Sequence, residues 1–284
     1  MARNIRKHNR HATNSQKLKQ SVLTIGNQKT EGTVKCSKCH MTFSSTSAKD
    51  ALVHDKYHSL HLHGRKWSSN WGDTIEEYGM RTIMDQETAA GKRPRDLTFV
   101  STPNTSAERI VQISKNRKSE VQATLDVLRI VNEELHAPHN ENYFWSHVAE
   151  TEGEGKFHRK EGSDGKAFVY VSEGRAVGVV TVEFLKLEEN RGRWMVYDTA
   201  SIVPGVIPSV KVGISRIWVC KQQRGRNIAT KLLETARLHS IPGMVLAKWE
   251  LAWSQPSESG GKLAQSYNSV KHERSGKTLI PCYI

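Results

Sequence analysis

Cys36 and Cys39, followed after fourteen residues by His54 and His58, constrain this chain more than any other feature. A two-residue knuckle aims both thiolates at one ion, and histidines at i and i+4 project from one helical face to complete a tetrahedron of the kind Zn2+ prefers. The spacing predicts a small ββα unit over 33–71, with Phe43 and Leu52 as its core. In so small a unit the metal supplies most of the folding free energy, about 10 to 16 kcal/mol in zinc-finger peptides. His40, His61 and His63 show that histidine is common here, but Phe43 and the two-sided spacing single out the four ligands. Fingers that read DNA usually have a twelve-residue gap and work in tandem, about three base pairs each. One finger with a longer gap therefore points to docking or a structural role.

Charge sharpens that reading. The chain carries a formal +13 over 284 residues, but residues 1–71 hold 13 basic and 3 acidic side chains, so the rest is nearly balanced. An excess of this size suits an acidic partner such as a chromatin surface. The first 32 residues are basic, polar and aperiodic, which predicts a disordered tail where a secretory signal would need an apolar run. No stretch approaches the roughly 18 apolar residues of a membrane span, so no membrane partner is expected. Four cysteines are too few for a disulfide scaffold, and Cys220 and Cys282 lie in apolar surroundings as small buried hydrophobes.

Residues 72–118 read as a linker with one short strand at Arg109–Ile113. Globular character begins at Ser119, where Val121, Leu125, Leu128, Val131 and Leu135 recur at helical spacing and Pro138 closes the helix. Two β-rich runs around Glu173-Gly174 predict a hairpin. RWMVYDT, GISRIWVC, KWELAWS and TLIPCYI read as strands. Between them, IATKLLETARLH is amphipathic through Ile228, Ala229, Leu232, Leu233 and Ala236, and GKLAQSYNSV suggests a short helix. The sum over 119–284 is one mixed α/β domain.

Residues 213–234 run from a strand through a short basic turn into an amphipathic helix. Such a turn offers successive backbone N–H groups and a helix N-terminus, which suit a pyrophosphate. Gly225 and Asn227 tolerate positive φ, and Arg224 and Arg226 add charge. CSKCHMTFSSTS, HLHGRKW, GRWMVYD, GISRIWVC, IATKLLE and WSQPSESGGKLA, in this order behind a lone finger, closely resemble the cohesin acetyltransferases of budding yeasts. These form the establishment-of-cohesion family, a branch of the GNAT acetyltransferases, and the resemblance covers the finger and nearly everything from about residue 120 onwards.

The resemblance implies a GNAT-type mixed sheet flanked by helices, acetyl-CoA as donor, and lysines on the SMC ATPase head of cohesin as acceptors. It implies a nuclear, chromatin-associated enzyme acting during DNA replication. The family's phosphate loop, Arg/Gln-x-x-Gly-x-Gly/Ala, matches Arg224, Asn227 and Ala229, with Asn in place of the central Gly. A second register, Gln222-x-x-Gly225-x-Asn227, fits the helix start less well. Cofactor contacts are thereby implied for Arg224, Gly225, Arg226, Asn227, Ile228, Ala229 and Thr230 and for the preceding strand at Ile217, Trp218 and Val219. Ser257, Glu258 and Ser259 match the second cofactor loop.

Lysine has an unperturbed pKa of about 10.4, so the chemistry needs a base. By similarity that base is Glu234, although a residue off the apolar face also fits an ordinary exposed helical Glu. Ser215 could orient the lysine or protonate the departing thiolate, or serve as an ordinary strand serine. Gln255 stands where some relatives carry Asp, and Glu250 is a possible substitute. Cys220 lacks an activating histidine, which favours direct transfer over a covalent intermediate. Gln20-x-x-Leu23 resembles the start of the family's PCNA-binding peptide without its aromatic pair. Two rivals stay open: a chromatin adaptor with a non-catalytic acyl-CoA-binding domain, motivated by Asn227, and an acetyltransferase acting on histones.

Overall fold

The computed structural model describes residues 33–75, 108–135, 137 and 165–284. The tail, the motif at Gln20 and Leu23, most of the expected linker and Pro138 lie outside the described residues. The finger consists of β1 (Thr33–Lys35), β2 (Thr42–Ser44) and α1 (Ala48–His63). Ser47 caps the helix, its hydroxyl accepting from the Asp50 N–H at 3.3 Å. Phe43 lies face to face on His54, with ring centroids 3.9 Å apart. Leu52 does not join it: the side chain is 71% exposed, because α1 turns His54 inward and Leu52, two residues away, to the opposite side.

After the finger come β3 (Arg65–Lys66), β4 (Asp73–Thr74), β5 (Glu108–Gln112) and α2 (Lys118–Leu135). The expected strand near 109–113 is present, but it is no linker segment. It pairs with the next strand over five residues, from Glu108↔Ser172 to Gln112↔Phe168, and β4 pairs with it in turn. The sheet thus begins before residue 119. It can do so because Val111, Ile113 and Trp67 are buried in the same core as the later strands.

β6 (Gly165–Ser172) and β7 (Arg175–Phe184) form the expected hairpin, with Glu173 at φ 50° and Gly174 at φ 69°. Two positive φ values in a two-residue loop match the right-handed twist of the strands. Next come β8 (Gly192–Val196), β9 (Val212–Val219), α3 (Ile228–His239), β10 (Leu251–Trp253), α4 (Glu258–Asn268), β11 (Val270–Lys271) and β12 (Thr278–Tyr283). The sheet order is β11-β12-β10-β9-β7-β6-β5-β4, with β3 paired to β7 and β8 to β12. Of KWELAWS only Leu251–Trp253 is strand. Lys248–Glu250 make a 3-10 turn, held because the Glu250 carboxylate accepts from the Ala247 N–H at 2.7 Å and pairs with Lys211 at 2.7 Å.

Helix α3 sits on the sheet through Ile228, Leu232, Leu233 and Ala236, all buried. Gly178 of β7 lets it approach: a Cβ there would stand 3.1 Å from both Ile228 and Leu232. Helix α2 buries Val121, Leu128 and Val131 on the same core.

Candidate active site and zinc centre

The ligand atoms of Cys36, Cys39, His54 and His58 all lie within 4.8 Å of one another. The knuckle closes by Cys36 N–H donating to Met41 O and His40 N–H to Cys36 O, both at 2.9 Å, with His40 at φ 61°. The backbone amide at Cys39, His54 and the backbone amide at Lys38 hold the Cys36 thiol down at about 5, whereas burial pushes Cys39 up. His54 Nε2 is buried with no hydrogen-bond partner, an orphan that a metal would take. Two sulfurs and two ring nitrogens at this spacing fit Zn2+.

The second site begins where β9 and β10 part. These neighbours run parallel, paired at Leu251↔Val212, Ala252↔Gly213 and Trp253↔Ile214. Two more contacts follow, Ser254 N–H to Ile214 O at 3.3 Å and Ser254 Oγ–H to Ser215 O at 3.4 Å; beyond them Arg216 to Val219 pair only with β7, among the described residues. The strands therefore leave a wedge, bordered on the β9 side by Ile217, Trp218 and Val219 and leading towards the basic turn. Ser215 is the extra residue of a bulge: Arg216 pairs with Thr181 and Ile214 with Val182, so Ser215 has no opposite number. Its carbonyl is fixed by Arg216 Nη1 at 2.8 Å, and Arg216 Nε donates to Asn132 Oδ1 at 2.7 Å.

At the end of the wedge a 3-10 turn, Lys221–Gln223, leads to Gly225 at φ 80° and Asn227 at φ 61°, ψ 15°. Asn227 thus adopts the left-handed geometry that the replaced Gly would supply, so the departure costs the loop no shape. The first helical bond is Lys231 N–H to Asn227 O at 3.1 Å. The N–H groups of Ile228, Ala229 and Thr230 are therefore directed off the end of α3, where the macrodipole favours an anion.

Arg224 and Arg226 differ from the expected role of free positive charge. Arg224 Nε donates to Val219 O at 2.9 Å and its Nη2 pairs with Glu134. Arg226 pairs with Gln223 and, at 2.8 Å, with Glu108. Both guanidiniums are anchored by carboxylates and shape the loop as much as they charge it.

Glu234 is no ordinary surface residue. Only 19% of its side chain is exposed, and Oε2 accepts from Arg237 Nε at 2.9 Å and Nη2 at 2.7 Å. Arg237 is fixed in turn by Leu246 O at 2.9 Å. Burial first, and then the nearby Glu234 carboxylate, push the Tyr267 phenol up. Glu250 is occupied by Lys211 and Ala247, a structural role that removes it as a substitute base. Ser257 caps α4 through Gly260 N–H at 3.3 Å, while Glu258 is spent on an exposed ion pair with Lys262 at 2.8 Å. Asn132, Glu134 and Arg216 escaped sequence reasoning. The readable signal was Glu120, Thr124 and Asn132 falling at multiples of four along the apolar stripe of α2, where all three are buried.

A mixed sheet with two parallel strands splayed before a helix-N-terminal loop, built against a Cys2His2 finger, defines an acetyltransferase of the GNAT class with a structural zinc centre. The chain matches the family model described as ESCO1/2 acetyl-transferase over residues 208–275 and the zinc-finger of acetyl-transferase ESCO over 20–60. It is 49% identical to N-acetyltransferase ECO1 of Kluyveromyces lactis over 282 residues, spanning 95% of this chain and 98% of that one. Identity is 46% to its namesake in Eremothecium gossypii, covering 98% of each chain. To that of Saccharomyces cerevisiae it is 42%, covering 98% of this chain and 99% of the relative. The chain belongs to the ECO1/ESCO family of N-acetyltransferases. Membership sets aside the non-catalytic adaptor. The finger's metal is zinc.

Proposed function

We propose that the protein acetylates lysines on the SMC ATPase head of cohesin, in the nucleus and on chromatin, during DNA replication. The observation that carries this reading is the wedge between β9 and β10, which leads from the Ser215 bulge to the free N–H groups at the start of α3. Acetyl-CoA supplies an activated thioester. Ile217, Trp218 and Val219 would line its arm, and the loop from Arg224 to Thr230 its pyrophosphate, with Ser257, Glu258 and Ser259 on the facing side. A backbone N–H at the bulge is suited to hold the developing oxyanion.

Glu234 is our candidate base. Arg237 engages Oε2 and so orients the carboxylate, which also lies beside the Tyr267 phenol. Ser215 would orient the amine or return a proton to the thiolate. Transfer is direct: Cys220 is fully buried and burial pushes its thiol up, so no thiolate nucleophile is at hand. The basic excess of 1–71 supports retention on chromatin, and Gln20 and Leu23 are a proposed contact to PCNA. We take 33–71 as the finger and the remainder, from β4 onward, as the acetyltransferase domain.

Purified full-length protein should acetylate an isolated SMC head in preference to histone tails, and Glu234→Gln should lower kcat about 100-fold or more. Wild-type turnover in Glu234→Gln removes the base assignment, and equal transfer to histone peptides removes the acceptor assignment.

A further inference from the structure

Glu134, in the last turn of α2, is where three other elements meet. Its Oε2 accepts from Trp218 Nε1 of β9 at 2.7 Å and lies 3.4 Å from His61 Nδ1 of the finger helix. Its Oε1 takes the Arg224 guanidinium of the phosphate loop. Burial raises the carboxyl, but the His61 ring close by and the hydrogen bonds from Arg224 and Trp218 outweigh it and hold the group down at about 2. A carboxylate at a helix C-terminus is disfavoured by the macrodipole, so this one is kept there by its partners.

The surroundings make the junction a mechanical one. β3, which leaves the finger, pairs with β7 at Arg65↔Ala176, and the neighbouring Val177 O accepts from Cys220 N–H at 2.8 Å, where the loop begins. Lys221 Nζ donates to Lys38 O of the zinc knuckle at 2.7 Å. Between knuckle and loop lies a cavity of about 610 Å³ lined by His40, Tyr57, His61, Glu134, Lys221 and Arg224. Polar contacts around this space join the finger to the loop, beside Tyr57 and Leu60 of α1, which pack on the apolar core that includes Trp218, Val219 and Cys220.

We propose that Glu134 is a positioning residue for acetyl-CoA, which couples the folded zinc finger to the phosphate loop by holding Arg224, Trp218 and His61 together. The inference rests on the loop from Arg224 to Thr230 being the pyrophosphate site. Coupling between two binding events is reciprocal, so zinc should favour CoA and CoA should favour zinc.

Zinc transfer from the full-length protein to a chromogenic chelator, with and without saturating CoA, tests this together with calorimetric titration of CoA. In wild type CoA should slow zinc loss roughly tenfold. In Glu134→Gln the Kd for CoA should rise roughly tenfold, saturating CoA should no longer protect zinc, and KM for acetyl-CoA should rise with kcat changed less than about twofold. His61→Ala should weaken CoA binding without touching the loop, and combining it with Glu134→Gln should add little. Zinc loss indifferent to CoA in wild type overturns the proposal even if the variants do not fold, as does wild-type CoA affinity in Glu134→Gln. A wild-type protein that binds no CoA overturns the loop reading itself and the proposal with it.

Discussion

Asn227 shows how one residue type can stand in for another when backbone shape is what matters. Its φ of 61° is a conformation that glycine takes freely and asparagine tolerates, whereas a β-branched residue pays a steric cost of about 1 to 2 kcal/mol. Asn227→Gly should leave CoA affinity and thermal stability close to wild type, while Asn227→Val should lose about 1 to 2 kcal/mol in denaturant unfolding and weaken CoA. Equal behaviour of the two variants would show that the left-handed geometry is unimportant to the loop. The sequence made this position visible, because an Asn-for-Gly exchange in a strand-to-helix turn has one evident reason. It did not make Glu134 visible: an acidic residue near a helix end reads as solvent-exposed until His61, Trp218 and Arg224 are seen to converge on it.

Elements with strong periodicity were legible. Helix α3 begins at Ile228 and ends at His239 as its apolar spacing requires, and the Glu173-Gly174 turn places the hairpin. The two-residue strands β3 and β4 were not, since an alternation of period two needs more residues than they possess. Their existence is a matter of partners. Gly64, at φ 76°, lets the chain leave α1 and run against β7, where a Cβ would sit 2.1 Å from Ala176 O. Gly64→Ala should therefore detach β3 from β7 and lower the unfolding midpoint by several degrees, with a loss of about 2 kcal/mol or more. A variant with unchanged midpoint would mean that this close approach contributes nothing.

For the whole molecule the basic balance acquires two meanings. Most of it lies in the first 71 residues, while the loop arginines that looked like spare charge are neutralised by Glu134 and Glu108. This has a pH signature. The Glu134 carboxyl drops from an ordinary 4.5 to about 2 on folding, so its stabilisation is fully present above pH 4.5 and lost as pH falls towards 2. The stability difference between wild type and Glu134→Gln should be flat from pH 7 to about 4.5 and shrink below it; a difference that grows on acidification would contradict the assignment. The sequence by itself determined the Cys/His cluster, the amphipathic helices, the hairpin and the strand-turn-helix at 213–234, because each is a local pattern written in nearby residues. Only the tertiary structure decided that the finger's exit strand joins the acetyltransferase sheet, that Ser215 is a bulge, that Arg237 holds Glu234, and that one buried carboxylate ties finger to loop. Apart from the i,i+3 pair of Glu234 and Arg237, whose burial rather than spacing the fold decided, these contacts join residues tens of positions apart or more, and sequence spacing carries no information about which distant side chains the core will bring together.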